Sequence, residues 1–114
     1  MNEMARASLR WDKYEVALLI ETYINIVQKV KNSEESIEEL SQILRSYAIK
    51  KGLKIDNKYR NKNGIGMKIQ EVRYLFTGKG MQHYSKLEQE CVELYKENPS
   101  VYAELLAEAK DIVI

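Results

Sequence analysis

With 114 residues, 45% of them apolar and 31% charged, the chain has the make-up of one folded domain rather than a disordered segment. A lone cysteine, Cys91, excludes an internal disulfide, and nothing approaches a signal-peptide core or a membrane span, so a cytoplasmic protein is expected. The net charge of +1 hides a dipolar chain: residues 50–80 hold nine bases against two acids, residues 1–49 six against eight, and residues 81–114 three against seven.

The first ten residues show no clear period and read as a loose N-terminal arm, leaving 11–114 as a single helical domain. Trp11 precedes Asp12, a good N-cap, and Glu15 stands three residues on in capping-box position. Val16, Leu19, Ile20, Tyr23, Ile24, Val27 and Val30 then follow helical spacing, with Leu18 and Ile26 widening the stripe. This predicts a first, deeply buried helix near 12–31.

Ser36 with Glu39 suggests a second capping box, opening a helix near 36–51 on Leu40, Ile43, Leu44 and Tyr47. Lys50 and Lys51 suit its last turn, and Gly52 its left-handed stop. A third helix is expected over 64–77, capped by Asn63 or a neighbour. Ile65, Ile69, Val72 and Phe76 form its apolar face, which leaves Gly66, Gln70, Arg73 and Tyr74 accessible. Ser85 with Glu88 opens a fourth helix near 85–98, and Asn98-Pro99 starts a fifth over 99–112. The fold class is therefore all-α, five helices, with a trihelical, helix-turn-helix-like core and two C-terminal helices. The apolar end, Ile112-Val113-Ile114, fits either a domain cut from a longer protein or a docked terminus.

Catalytic and metal chemistry find little to use here. His83 is the only histidine and stands eight residues from Cys91, so no His/Cys ligand spacing exists. Cys91 falls on an apolar stripe with Leu87 and Leu94 and reads as a core thiol. Gly78-Lys79-Gly80 follows a helix rather than a strand, which makes it a turn and not a phosphate loop. No cofactor is expected, and the chain is read as non-catalytic.

The basic middle carries the functional expectation, because a positive surface attracts polyanions whatever fold lies beneath it. Arg60 and Lys62 are long cations, and Asn61 and Asn63 offer side-chain amides. A helix N-terminus adjoining them adds free N–H groups and a positive dipole end. Lys54, Lys58 and Lys68 contribute to the same field. Gln70 and Arg73 would reach base edges from a helix lying in a major groove. The expected function is thus DNA binding, centred on 58–73. The rival expectation is a protein-interaction domain, in which Tyr74, Tyr84 and Tyr95 or the acidic C-terminal helices dock a partner or a second copy.

The order Trp11, Glu15, Leu18, Leu19, a capped second helix and a basic third resembles Myb/SANT-like domains over about 10–76. Tyr59-Arg60-Asn61-Lys62-Asn63-Gly64-Ile65 with Met67-Lys68-Ile69 gives a closer likeness. It is similar to a segment of the helical domain that precedes the nuclease in some bacterial HNH-type restriction endonucleases, where a Ser-Lys-Leu helix start follows, as in Ser85-Lys86-Leu87. The resemblance implies a bacterial or phage source and a DNA-targeting or accessory module without the nuclease. Lys62 stands where that family often has proline, and the third helix lacks the dense Arg and Lys of many Myb-type helices.

Overall fold

Helix starts are written in the capping residues. In the computed structural model, which describes residue 7 and residues 9–114, Asp12 accepts a hydrogen bond from the Glu15 N–H at 2.8 Å, and Glu15 answers by accepting from the Asp12 N–H at 3.0 Å. This box opens α1, Lys13–Val27. Asn98 and Pro99 open α5, Pro99–Val113, with proline at the start, where its missing N–H costs nothing. Ser85 and Glu88 form the box that opens α4, Lys86–Glu97. Of the expected N-terminal arm, residues 1–6 and 8 lie outside the described residues.

The second start differs from expectation. Asn32 accepts from the N–H groups of Glu34 and Glu35, so α2 runs Ser33–Lys50 and Ser36 is buried inside it. Asn32 leaves no room for a Ser36–Glu39 box, and Glu39 instead pairs with Lys31 at 2.8 Å. The first helix correspondingly stops at Val27, with Lys29 in the left-handed region at φ 58°. Asn61 caps α3, Lys62–Thr77, by accepting from the Gly64 N–H. Among the described residues all regular structure is these five helices.

α1 is the central element. Val16, Ala17, Leu18, Leu19 and Ile20 are all at most 3% exposed, and the helix contacts each of the other four. Tyr102 of α5 is buried against it and donates its hydroxyl to the Ala17 carbonyl at 2.8 Å. Val113 is buried in the core, so the last turn of α5 docks. Cys91 is buried on α4, and burial pushes its thiol up to about 11. No helix among the described residues is long and apolar enough to cross a membrane.

Between α2 and α3 the chain folds back. Ser41 donates to the Arg60 carbonyl at 2.7 Å, and Arg45 donates to the carbonyls of Asp56 and Tyr59 at 3.0 and 2.6 Å. The segment 51–61 therefore lies along α2, and α3 starts beside its middle and returns toward its N-terminal end. Eleven residues separate the two helices, against about three or four in a helix-turn-helix.

After α3 the chain presses back onto that helix. Met81 donates to the Gln70 carbonyl at 3.2 Å, and Gly80, at φ 118°, lies so close that a Cβ there would stand 2.6 Å from the same oxygen. Both the backbone angle and the space demand glycine. Gly80→Ala should destabilise the fold by about 1–3 kcal/mol, measured by urea unfolding. A midpoint equal to wild type would show that this crossing is loose.

Candidate nucleic-acid interface

Each expected contact residue has a definite place, and two of them are paired with buried carboxylates. Arg60 is 7% exposed. Its Nε donates to Glu15 Oε2 at 2.9 Å and its Nη2 to Glu15 Oε1 at 3.2 Å, while Glu15 itself is 3% exposed. Nη1 reaches the Leu9 carbonyl at 3.2 Å and Nη2 the Arg10 carbonyl at 2.9 Å. The guanidinium also lies over the rings of Trp11 (4.7 Å) and Tyr59 (4.5 Å). The expectation that Arg60 anchors a phosphate is corrected: its charge and its donors are engaged inside the protein. Its backbone adopts φ 49°, a left-handed value uncommon for a side-chain-bearing residue, and these bonds hold it there.

Lys68 is the second base turned inward. It bridges Glu71 of α3 at 3.2 Å and Glu88 of α4 at 3.1 Å, both carboxylates being almost fully buried. Burial works against its ammonium, but Glu88 and then Glu71 outweigh that and hold its pKa above the ordinary lysine value. Glu71 is raised by burial first, then by the hydrogen bond and charge of Glu88, against the pull of Lys68. Two carboxyl groups thus share one ammonium. Glu88 Oε2 is buried without a hydrogen-bond partner, and a protonated Glu71 is a donor to Glu88. Lys68, half-buried, is therefore a strut between α3 and α4 rather than an unpaired cation.

The remaining residues divide into two groups. Lys54, Lys58 and Lys62 are exposed along the 51–62 stretch, with Lys50 and Lys51 beside them at the end of α2. None of the five makes an ion pair with another described residue, and Lys51 lies over the Tyr47 ring at 3.9 Å. Asp56, the one acid there, accepts from the N–H groups of Lys58 and Tyr59, which lowers its pKa. Asn61 is used as the α3 cap, whereas Asn63 is exposed.

Gln70 and Arg73 form the other group, farther along α3. Arg73 is exposed and donates to Gln70 Oε1 at 3.4 Å, and Gln70 is half-buried beneath Gly80 and Met81. Eleven helical residues from Lys62 to Arg73 amount to ~16 Å of rise. The outer face between those two cations carries Gly66 and Met67 and no further base.

Arg45 is the residue sequence reasoning missed. It lies outside the basic third of the chain, yet it pins the 51–61 segment through two backbone carbonyls. Among the expected docking tyrosines, Tyr95 is packed edge-on against Phe76 and Tyr102, and Tyr74 stacks on Tyr84 at 5.9 Å. No cluster of three or more His, Cys, Asp or Glu side chains able to hold a metal occurs among the described residues.

Removing one member of a buried ion pair strands the other, a loss of about 3–5 kcal/mol. Arg60→Ala should cost that much in denaturant unfolding, whereas the exposed Lys58→Ala should stay within about 0.5 kcal/mol of wild type. An Arg60→Ala loss no larger than that of Lys58→Ala would show the pair to be incidental. For Glu71, a folded pKa raised above the unfolded value means that the native chain retains a proton the unfolded chain has lost. The stability gained is full below the ordinary value of 4.5 and is lost as pH rises through the folded value. Urea midpoints taken between pH 4.5 and 7 should therefore fall more steeply with pH for wild type than for Glu71→Gln. Parallel curves would show that the carboxyl pair holds no extra proton.

No family model matches the chain, and neither a curated protein nor a solved structure matches it.

Proposed function

We propose that this chain is a non-catalytic module that binds duplex DNA through its phosphate backbone. The binding edge is the end of α2 and the segment leading into α3: Lys50, Lys51, Lys54, Lys58 and Lys62. The observation that carries the reading is that these five cations stand exposed on one continuous stretch and have no carboxylate partner among the described residues. Arg45 supports the stretch from below by holding its carbonyls. The start of α3 adds a positive dipole end beside Lys62 and Asn63. The likeness to Myb/SANT-like domains and to the helical domain of HNH-type endonucleases agrees with a DNA-targeting or accessory role.

This reading differs in mechanism from a recognition helix laid in a groove. Lys68 and Arg60 are occupied internally, and Gln70 is half-covered, so α3 offers Arg73 as its main candidate for a base edge. The module is therefore a backbone holder with little sequence preference, because phosphate contacts position a protein without reading bases.

Binding to a random-sequence duplex should weaken steeply with salt, with a log–log slope of roughly −4 for four or five neutralised phosphates. The triple variant Lys50→Ala, Lys54→Ala, Lys58→Ala should weaken binding to all sequences alike and flatten that slope by about 2–3. Fluorescence anisotropy across a salt series measures both. An unchanged slope in the folded triple variant, or no binding by wild type at low salt, would remove the proposal in favour of a protein-interaction role.

A further inference from the structure

One concavity adjoins the lysine edge and shares Lys62 with it. It is an open groove of about 760 Å³ between α3 and the first half of α2, and its walls include Glu34, Ile37, Lys62, Gly66, Met67 and Met81. Met67 is 53% exposed, on a helix whose other aliphatic side chains are buried or half-buried. Ile37 and Met81 are half-buried beside it, so the groove has an apolar floor with a flexible methionine standing in it.

Gly66 makes the groove informative. Glycine is the poorest helix former after proline, yet it sits in the second turn of α3. Its backbone is not in the left-handed region, and a Cβ added to it would meet nothing within 4 Å. Neither local conformation nor internal crowding accounts for it. What a missing Cβ offers at such a place is close approach by another chain.

The charges suggest which chain. α3 starts beside the middle of α2 and runs back toward its N-terminal end, so Lys62 marks one end of the groove and Glu34 the other. Neither makes an ion pair with another described residue. A surface with an unpaired cation at one end and an unpaired anion at the other is complementary to itself under a two-fold rotation. We propose that the groove is the contact between two copies of this chain, with α3 packed antiparallel on α3 around Gly66 and Met67. Met67 of each copy fills the space over Gly66 of the other, and Lys62 of each faces Glu34 of the other. The contact is small, so the association is weak, with a dissociation constant in the micromolar range.

The test is sedimentation velocity of the full chain without DNA, from about 5 µM to 1 mM. Wild type should pass from monomer to dimer, and Met67→Glu should remain monomeric while keeping its helical circular dichroism. Lys62→Glu and Glu34→Lys should each weaken association about tenfold, and the two together should restore it, because reversing both charges preserves the cross-pairing. Gly66→Gln should melt at a higher temperature than wild type and lose the dimer. A wild type monomeric at 1 mM, a dimer that survives Met67→Glu, or a double charge reversal that recovers nothing would each overturn the proposal. The Lys50, Lys54, Lys58 triple variant should dimerise as wild type does, which keeps this result separate from the DNA-binding result.

Discussion

The ion pair between Arg60 and Glu15 is the constraint on which the rest of the structure depends. It joins residues 45 apart in the chain, at the start of α1 and just before α3. The same guanidinium gathers the carbonyls of Leu9 and Arg10 and rests against Trp11 and Tyr59. Two charges out of water are costly, and their attraction offsets that only when further hydrogen bonds complete the geometry. Here they do, because Glu15 also closes the capping box of α1 by accepting from the Asp12 N–H. One carboxylate thus sets where a helix begins and where a distant loop is fastened. Glu88 repeats the device on α4: it accepts from the Ser85 N–H and from Lys68 on α3. Both capping-box glutamates lie in the acid-rich flanks of the chain, and each takes in a base from the basic middle.

That internal pairing decides what charge is left for a partner. The two bases drawn inward are among those that would have armed the start and the middle of α3, so the helix face left outside keeps cations only at Lys62 and Arg73, with a methionine between them. The positive character shifts to the approach segment along α2, where Arg45 holds the backbone and the lysines have no carboxylate partner among the described residues. The proposed polyanion edge and the proposed self-contact therefore lie on adjoining surfaces and, of the five lysines, share Lys62 alone.

Much of the fold was legible because its signals are local. The Asp12–Glu15 and Ser85–Glu88 boxes, Asn98-Pro99 and the glycines after α2 and α3 act within a few residues of themselves, and the apolar stripes followed. Where two local signals compete, a pattern gives no ranking. Asn32 and Ser36 are both competent caps, and the earlier one, by bonding Glu34 and Glu35, put the later one inside the helix. The site was less legible, since charge counted along a chain carries no information about which acids fold against it. Arg60 reads like any other cation of its stretch, and only Glu15, brought in by tertiary folding, reverses its role. Tyr59, its neighbour in the chain, was the available local hint, whereas Trp11 reaches it only through folding.

Cys91 gives the molecule a built-in clock. The protein's single sulfhydryl is shut into the α4 packing and its acidity is suppressed, so an electrophile in solution meets almost no thiolate while the helices stay closed. Alkylation then proceeds at the pace at which that part of the core opens, and the rate of labelling reports local opening of the C-terminal helices directly.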